Sequence, residues 1–239
     1  MDRWYETPLG SFIGQRVRHA LEDFMSTSFG YYTISVGVNP RVCGLLDHCR
    51  TRHQFHFGYP EQAPSAVSEP EVLPIANDSI DVVVLNHALS LSVDPHAMLR
   101  EVNRVLIPDG KLVIIDFNPA SLWGLRHLLQ GWLDKVPWGG QYYTAHRIKD
   151  WATLLGFELQ AEACQGFVLP FEVSRLINRM SVFEKFSQRW LGFSGAVNIL
   201  VFEKNTIPLT PYRPRWVGQK ILPPKVIRPA AGRGMRYQR

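Results

Sequence analysis

The chain has 239 residues, 46% apolar and 20% charged, enough to bury the core of one ordinary domain and unlike the composition of a disordered protein. Its formal net charge of +5 hints at a polyanionic partner, but residues 208–239 carry eight basic residues and no acid, leaving 18 basic against 21 acidic residues over 1–207. The excess belongs to the last segment, and the three cysteines, Cys43, Cys49 and Cys164, exclude a disulfide framework and favour a reducing compartment.

The opening Met-Asp-Arg-Trp-Tyr lacks an apolar leader core, and no run reaches the length of a membrane span, so a soluble cytoplasmic protein is expected. Phe12, Ile13, Val17, Ala20, Leu21, Phe24 and Met25 form a one-faced helical stripe. Residues 31–38 (YYTISVGV) read as a strand, followed at Pro40 by a helix over 41–50. A short strand near 53–57 precedes a stretch with Pro60, Pro64, Pro70 and Pro74 that leaves little room for a helix. Residues 80–85 (IDVVVL) form the continuous apolar run of a strand buried on both faces. Asp94-Pro95 starts a helix whose Met98, Leu99, Val102, Val105 and Leu106 share a face, and Pro108-Asp109-Gly110 turns into a strand over 111–117. Further on, 148–155 is helical and capped by Gly156, 157–163 and 197–202 are strands, and 121–135 and 171–191 are amphipathic. Strands alternating with helices imply a mostly parallel α/β sheet. Residues 208–239, with six prolines and eight cations, are expected to form a disordered basic tail to a 1–207 domain.

Residues 69–116 (EPEVLPIANDSIDVVVLNHALSLSVDPHAMLREVNRVLIPDGKLVIID) carry Leu73-Pro74-Ile75, Ser79-Ile80-Asp81, Glu101, Arg104-Val105-Leu106 and Pro108-Asp109-Gly110 in one order. This block resembles the class I S-adenosylmethionine-dependent methyltransferases of the methyltransferase-11 type. The opening DRWYETPLG, the Asp116-Phe117-Asn118-Pro119 turn and residues 206–210 (TIPLT) are similar to the YafS-like bacterial group. The resemblance implies a Rossmann-like, seven-stranded sheet with S-adenosylmethionine at the carboxyl ends of its first strands, and methyl transfer to an acceptor. On this reading Gly37, Asn39, Glu69 and Asn86 line the cofactor, Tyr5 and Thr7 close over it, and Asp81 is structural.

Several positions depart from the family. Its first motif, acid-x-Gly-x-Gly-x-Gly, is here Ser35-x-Gly37-x-Asn39-x-Arg41. Asn39 can take a left-handed turn, and Arg41 either crowds the loop or pairs with the cofactor carboxylate. The loop is either rebuilt or no longer binds cofactor. No acid follows 55–58 to hold a ribose, and Pro70 lacks the N–H that would reach the adenine. His87 at the fourth strand's end is either a proton acceptor or a histidine satisfying backbone groups. Cys43, His48, Cys49, His53 and His56 lack the paired spacings of a zinc site, so no metal is expected. The amphipathic segments either pack on the sheet or cover an apolar, lipid-like or other small-molecule acceptor. Two function classes follow: a methyltransferase, and a catalytically degenerate binding module that holds nucleic acid through residues 208–239. No motif names the acceptor or the oligomeric state.

Overall fold

The computed structural model describes residues 1–58, 65–69, 71–130, 140–166 and 195–205. Seven strands form one sheet: β1 (Phe29–Gly37), β2 (Arg50–Gly58), β3 (Ala66–Val67), β4 (Ile80–Asn86), β5 (Leu106–Phe117), β6 (Phe157–Gln165) and β7 (Val197–Lys204). Their order is β3-β2-β1-β4-β5-β7-β6, and only β7 runs against its neighbours. The helices are α1 (Asp2–Tyr5), α2 (Pro8–Thr27), α3 (Pro40–Cys43), α4 (Ala88–Leu91), α5 (Pro95–Val105), α6 (Leu122–Gln130) and α7 (Ala145–Leu154). The expected seven-stranded, mostly parallel sheet is therefore observed.

Each face of the sheet carries its own core, as the run 80–85 requires. Val82 and Val84 pack with Leu9, Ile13, Val17, Leu21 and Met25 of α2. Val83 and Leu85, one residue out of phase, pack with Met98, Leu99, Val102 and Val105 of α5 and with Ile148 and Ala152 of α7. The period-2 alternation of the strand divides one apolar run between two layers. Asp81 fixes the entry to β1, its carboxylate accepting the Tyr31 and Tyr32 N–H groups at 2.9 and 2.8 Å.

Two local expectations are corrected. The helix expected over 41–50 is only Pro40–Cys43, because Gly44 takes a left-handed φ of 62° and its N–H turns back to Arg41 and Pro40 carbonyls. The Pro108-Asp109-Gly110 turn lies inside β5 as an irregularity: the register jumps from Ile80↔Leu106 to Val82↔Lys111, with Asp109 at φ 62°. The proline-containing stretch after β2 contributes a two-residue strand, β3, which pairs with Phe57 and Gly58. The amphipathic segment 121–135 begins as α6, which buries Trp123 and exposes Leu122, Leu125 and Leu128. The segment 171–191 and the basic tail lie outside the described residues. Among the described residues no helix is long and apolar enough to cross a membrane.

Candidate active site

The chain runs outward from β1 to β2 on one side, while β4 flanks β1 on the other, so the crevice between the carboxyl ends of β1 and β4 is the sheet's topological switch point. Gly37 ends β1 at φ 99°, and a Cβ there would stand 2.4 Å from the Asn86 carbonyl oxygen. Glycine is thus required by the close approach of β1 to its parallel neighbour β4. Val38 donates its N–H to Asn86 O at 2.9 Å, and Asn86 Nδ2 returns a bond to Val38 O at 3.1 Å. Asn86 is fully buried, and its Oδ1 has no hydrogen-bond partner among the described residues.

Asn39 departs from the left-handed turn expected of it. It lies at φ −58°, ψ 119° and caps α3, its Oδ1 accepting the Arg41 N–H at 3.0 Å. The Arg41 side chain is exposed. The Asn39 N–H donates to the Asp2 carboxylate at 3.2 Å. A carboxylate of the chain's own first helix therefore sits on the backbone amide of the glycine-poor loop.

Asp2 reaches the loop because α1 is docked tightly. Thr7 caps α2, accepting the Gly10 N–H, and its hydroxyl donates to Trp4 O at 2.7 Å. A Cβ on Gly10 would lie 2.1 Å from Trp4 O, so the absence of one lets α1 fold back onto α2. Thr7, expected over a cofactor, spends its hydroxyl on this joint. Trp4 then meets Phe117 and Trp123 edge-on, each at 5.7 Å.

Tyr5 brings the next residues together. Its hydroxyl lies 2.5 Å from His87 Nε2, in a fully enclosed contact. His87 has a left-handed backbone, φ 53°, and donates its N–H to Ile115 O at 2.8 Å. Its ring stacks on Phe117 with centroids 4.3 Å apart. Nδ1 has no hydrogen bond among the described residues and faces Asp116 Oδ1 at 3.7 Å. Asp116 is buried and accepts from the Ser90 hydroxyl, from Ser90 N at 3.1 Å and from Phe117 N at 2.9 Å. Burial pushes the Tyr5 phenol well above its ordinary range, with Cys43 and Asp116 adding to the effect.

At the end of β2, His56 Nδ1 lies 3.0 Å from Ser35 Oγ while its buried Nε2 has no partner among the described residues. It lines a cavity of about 210 Å³ with Pro40, Arg41, Gln54 and Ser65. Burial lowers the His56 pKa, opposed by the Ser35 hydrogen bond. Glu69 is exposed, and its carbonyl closes a turn by accepting from Ser68 Oγ and Val72 N. The cysteines and histidines considered for zinc are dispersed. Cys43 is buried and its thiol pushed up to about 12, first by burial; His48 lies against Glu22 and His53 stacks on Tyr32.

A methyltransferase-domain family profile matches residues 19–162. The chain belongs to the class I S-adenosylmethionine-dependent methyltransferase family. This methyltransferase-family chain is 32% identical over 211 residues to the uncharacterized protein YafS of Escherichia coli K12, covering 87% of this chain and 83% of that one. It is 30% identical over 119 residues to a malonyl-[acyl-carrier protein] O-methyltransferase of Laribacter hongkongensis, but spans only 40% of that protein's length and 49% of its own. In structure it resembles a SAM-dependent methyltransferase of Thermotoga maritima with a TM-score of 0.65 at 15% identity, covering 85% of this chain and 94% of that one. Sequence reasoning singled out Gly37, Asn39, Asn86, Tyr5 and His87, which this fold brings to one crevice. It missed Asp2, which bonds the Asn39 amide, Asp116, which faces His87 Nδ1, and Ser90, which bonds Asp116. The one sequence signal for Asp116 was an acid at the end of an apolar strand.

Proposed function

We propose that the chain transfers a methyl group from S-adenosylmethionine to an acceptor, with the donor in the crevice at the ends of β1 and β4. The observation that carries this is the state of the loop's polar groups. The Asn39 amide holds a carboxylate, that of Asp2, and beside Gly37 the buried Asn86 Oδ1 lacks a donor among the described residues. Buried polar atoms in native proteins are nearly always satisfied, so an orphaned acceptor at a switch point suits a ligand with an ammonium group. The amino-acid end of S-adenosylmethionine offers both groups, a carboxylate for the loop amide and an ammonium for Asn86. On this reading the glycine-poor loop takes the donor despite losing two glycines.

In this reading Gly37, Asn39 and Asn86 line the amino-acid end, Glu69 accepts from the adenine amine, and Tyr5 and Thr7 belong to the segment over the crevice. When bound, the donor's sulfonium supplies an electrophilic methyl carbon. The chain's own contribution is to hold the acceptor in line and to keep water out, for which the buried wall of Trp4, Phe117 and Trp123 is suited. His87 is the group placed to take a proton. Truncating Glu69 tests the placement of the adenine. Glu69→Ala is expected to weaken S-adenosylhomocysteine binding by about 1.5–3 kcal/mol, the worth of a charged hydrogen bond. Calorimetric titration of both proteins measures this, and equal affinities would remove Glu69 from the site.

A further inference from the structure

The group opposite His87 Nε2 is a phenol hydroxyl belonging to the chain itself. We infer that the methyl acceptor is a phenolic hydroxyl compound, which takes the place of the Tyr5 hydroxyl on His87 and passes its proton to Nε2. This rests on the methyl-transfer reading above and specifies its substrate class.

Three observations lead there. First, His87 is a fixed ring: its backbone is held in a left-handed conformation at the end of β4, its N–H is tied to Ile115 O, and its face lies on Phe117. Second, its two nitrogens see opposite partners. Nε2 faces a hydroxyl at 2.5 Å, and Nδ1 faces a buried carboxylate at 3.7 Å with no hydrogen bond to any group among the described residues. A neutral imidazole with its proton on Nδ1 accepts from the hydroxyl at Nε2. Once protonated, it becomes a cation beside Asp116, which three donors from Ser90 and Phe117 hold in place. A buried carboxylate is costly without compensation, and protonated His87 would supply it. Third, the surroundings are aromatic: Trp4 lies 4.9 Å from the Tyr5 ring, and Phe117 stacks on His87.

The arrangement selects among acceptors by what each requires. A carboxylic acid, with an unperturbed pKa near 4, is already ionised at neutral pH and gives a base nothing to do; a phenol, near 10, must lose its proton as it reacts. In the step, a lone pair of the acceptor oxygen forms the C–O bond to the methyl carbon. The C–S bond breaks with its pair passing to sulfur, the sulfonium becomes a thioether, and the phenolic proton moves to Nε2. Asp116 is a positioning residue that acts through His87. Among the described residues, the ionisable groups around His87 and Asp116 include Tyr5 from α1, Asp116 from β5, Cys43 of α3 beside Tyr5, and Tyr142 and Tyr143, whose phenols are raised first by burial, with Asp116 adding to it.

The test needs no known acceptor. The full chain, with its histidines labelled in nitrogen-15, is titrated with phenol and with benzoate, two probes with the same ring, while the His87 ring signals are followed. Phenol is expected to move the Nε2 signal, and to do so at least about tenfold more tightly in Tyr5→Phe, where the internal competitor is gone. Benzoate binding as well as phenol, or an unchanged phenol affinity in Tyr5→Phe, overturns the inference. In a second arm, the full chain is given methyl-labelled S-adenosylmethionine and a small-molecule cell extract. The labelled product is expected to be an alkali-stable aryl ether; an alkali-labile ester or an N-methyl product overturns the inference and leaves methyl transfer intact. In that assay, His87→Gln should lower the rate at least about 100-fold. Asp116→Asn should lower kcat at least about tenfold with KM little changed, because the group that positions His87 is gone. A Tyr–His–Asp group with only a structural role would leave kcat in place. If no methyl is transferred and the donor does not bind, it is the methyl-transfer reading that fails, and the phenol titration still decides the hydroxyl site by itself.

Discussion

Gly37→Ala is expected to destabilise the protein by about 3 kcal/mol or more, the scale of a strained backbone combined with overpacking. The new Cβ would stand 2.4 Å from the Asn86 carbonyl oxygen and 3.0 Å from the Ala88 Cβ, and at φ 99° an L-residue is strained whatever the space. The obstacle is backbone rather than a flexible side chain. Relief therefore requires β1 and β4 to move apart where Val38 and Asn86 exchange two hydrogen bonds. A fall in Tm of about 6–12 °C should accompany the loss. Chemical denaturation of the purified variant measures it, and a loss under about 1 kcal/mol would mean that the loop can adjust. The outcome matters for function, because it separates a glycine kept for the close approach of two strands from one kept only for a ligand.

The second large effect is expected at Glu101. Its Oε1 accepts the Leu73 N–H at 2.8 Å and Arg104 Nη2 at 2.6 Å, and its Oε2 accepts Arg104 Nε at 2.8 Å. Arg104 also donates to Leu73 O at 3.2 Å and to Asn77 Oδ1. The pair thus fastens the Leu73-Pro74-Ile75 turn to α5, with the Glu101 side chain only 14% exposed. Glu101→Ala should cost about 2–3 kcal/mol, since it strands a buried N–H and leaves a partly buried guanidinium without its carboxylate. The Arg104 hydrogen bond is the largest cause holding the Glu101 carboxyl below its ordinary value. A depressed folded-state pKa means that the stabilisation is present above the unfolded glutamate value and is lost as pH falls through the folded one. Wild type should therefore exceed Glu101→Gln in stability at pH 7, with the gap narrowing at pH 3. An equal gap at both pH values in urea unfolding would contradict the electrostatic account.

Glu101 also explains why the family block was so legible. Leu73, Glu101 and Arg104 are one clasp written across 32 residues of sequence, and the strand and helix between them follow from apolar periodicity. The block is therefore a signature of framework, and it identifies the fold more directly than the site. Local chemistry told less where a residue serves two ends. Thr7-Pro8 carries the pattern of a helix cap followed by proline at the first position, and the structure uses it that way. Gly44 shortened α3 because a helix-compatible stretch does not announce where a left-handed residue will end it. The contacts that build the crevice were out of reach for a different reason. Asp2 meets Asn39 across 37 positions, Tyr5 meets His87 across 82, and Asp116 meets Ser90 across 26. Periodicity reports which side of its own element a residue faces; it does not report which element lies opposite.

The family places the chain among methyltransferases, and in the crevice between β1 and β4 the Asn39 amide holds the Asp2 carboxylate while the buried Asn86 Oδ1 has no donor among the described residues. The central claim is that this crevice binds the methyl donor. Calorimetric titration of the full chain with S-adenosylmethionine and with S-adenosylhomocysteine tests it most directly. Saturable heat with both ligands, together with a rise in Tm that grows with ligand concentration, is the predicted result. No heat and no thermal shift at millimolar ligand would contradict it.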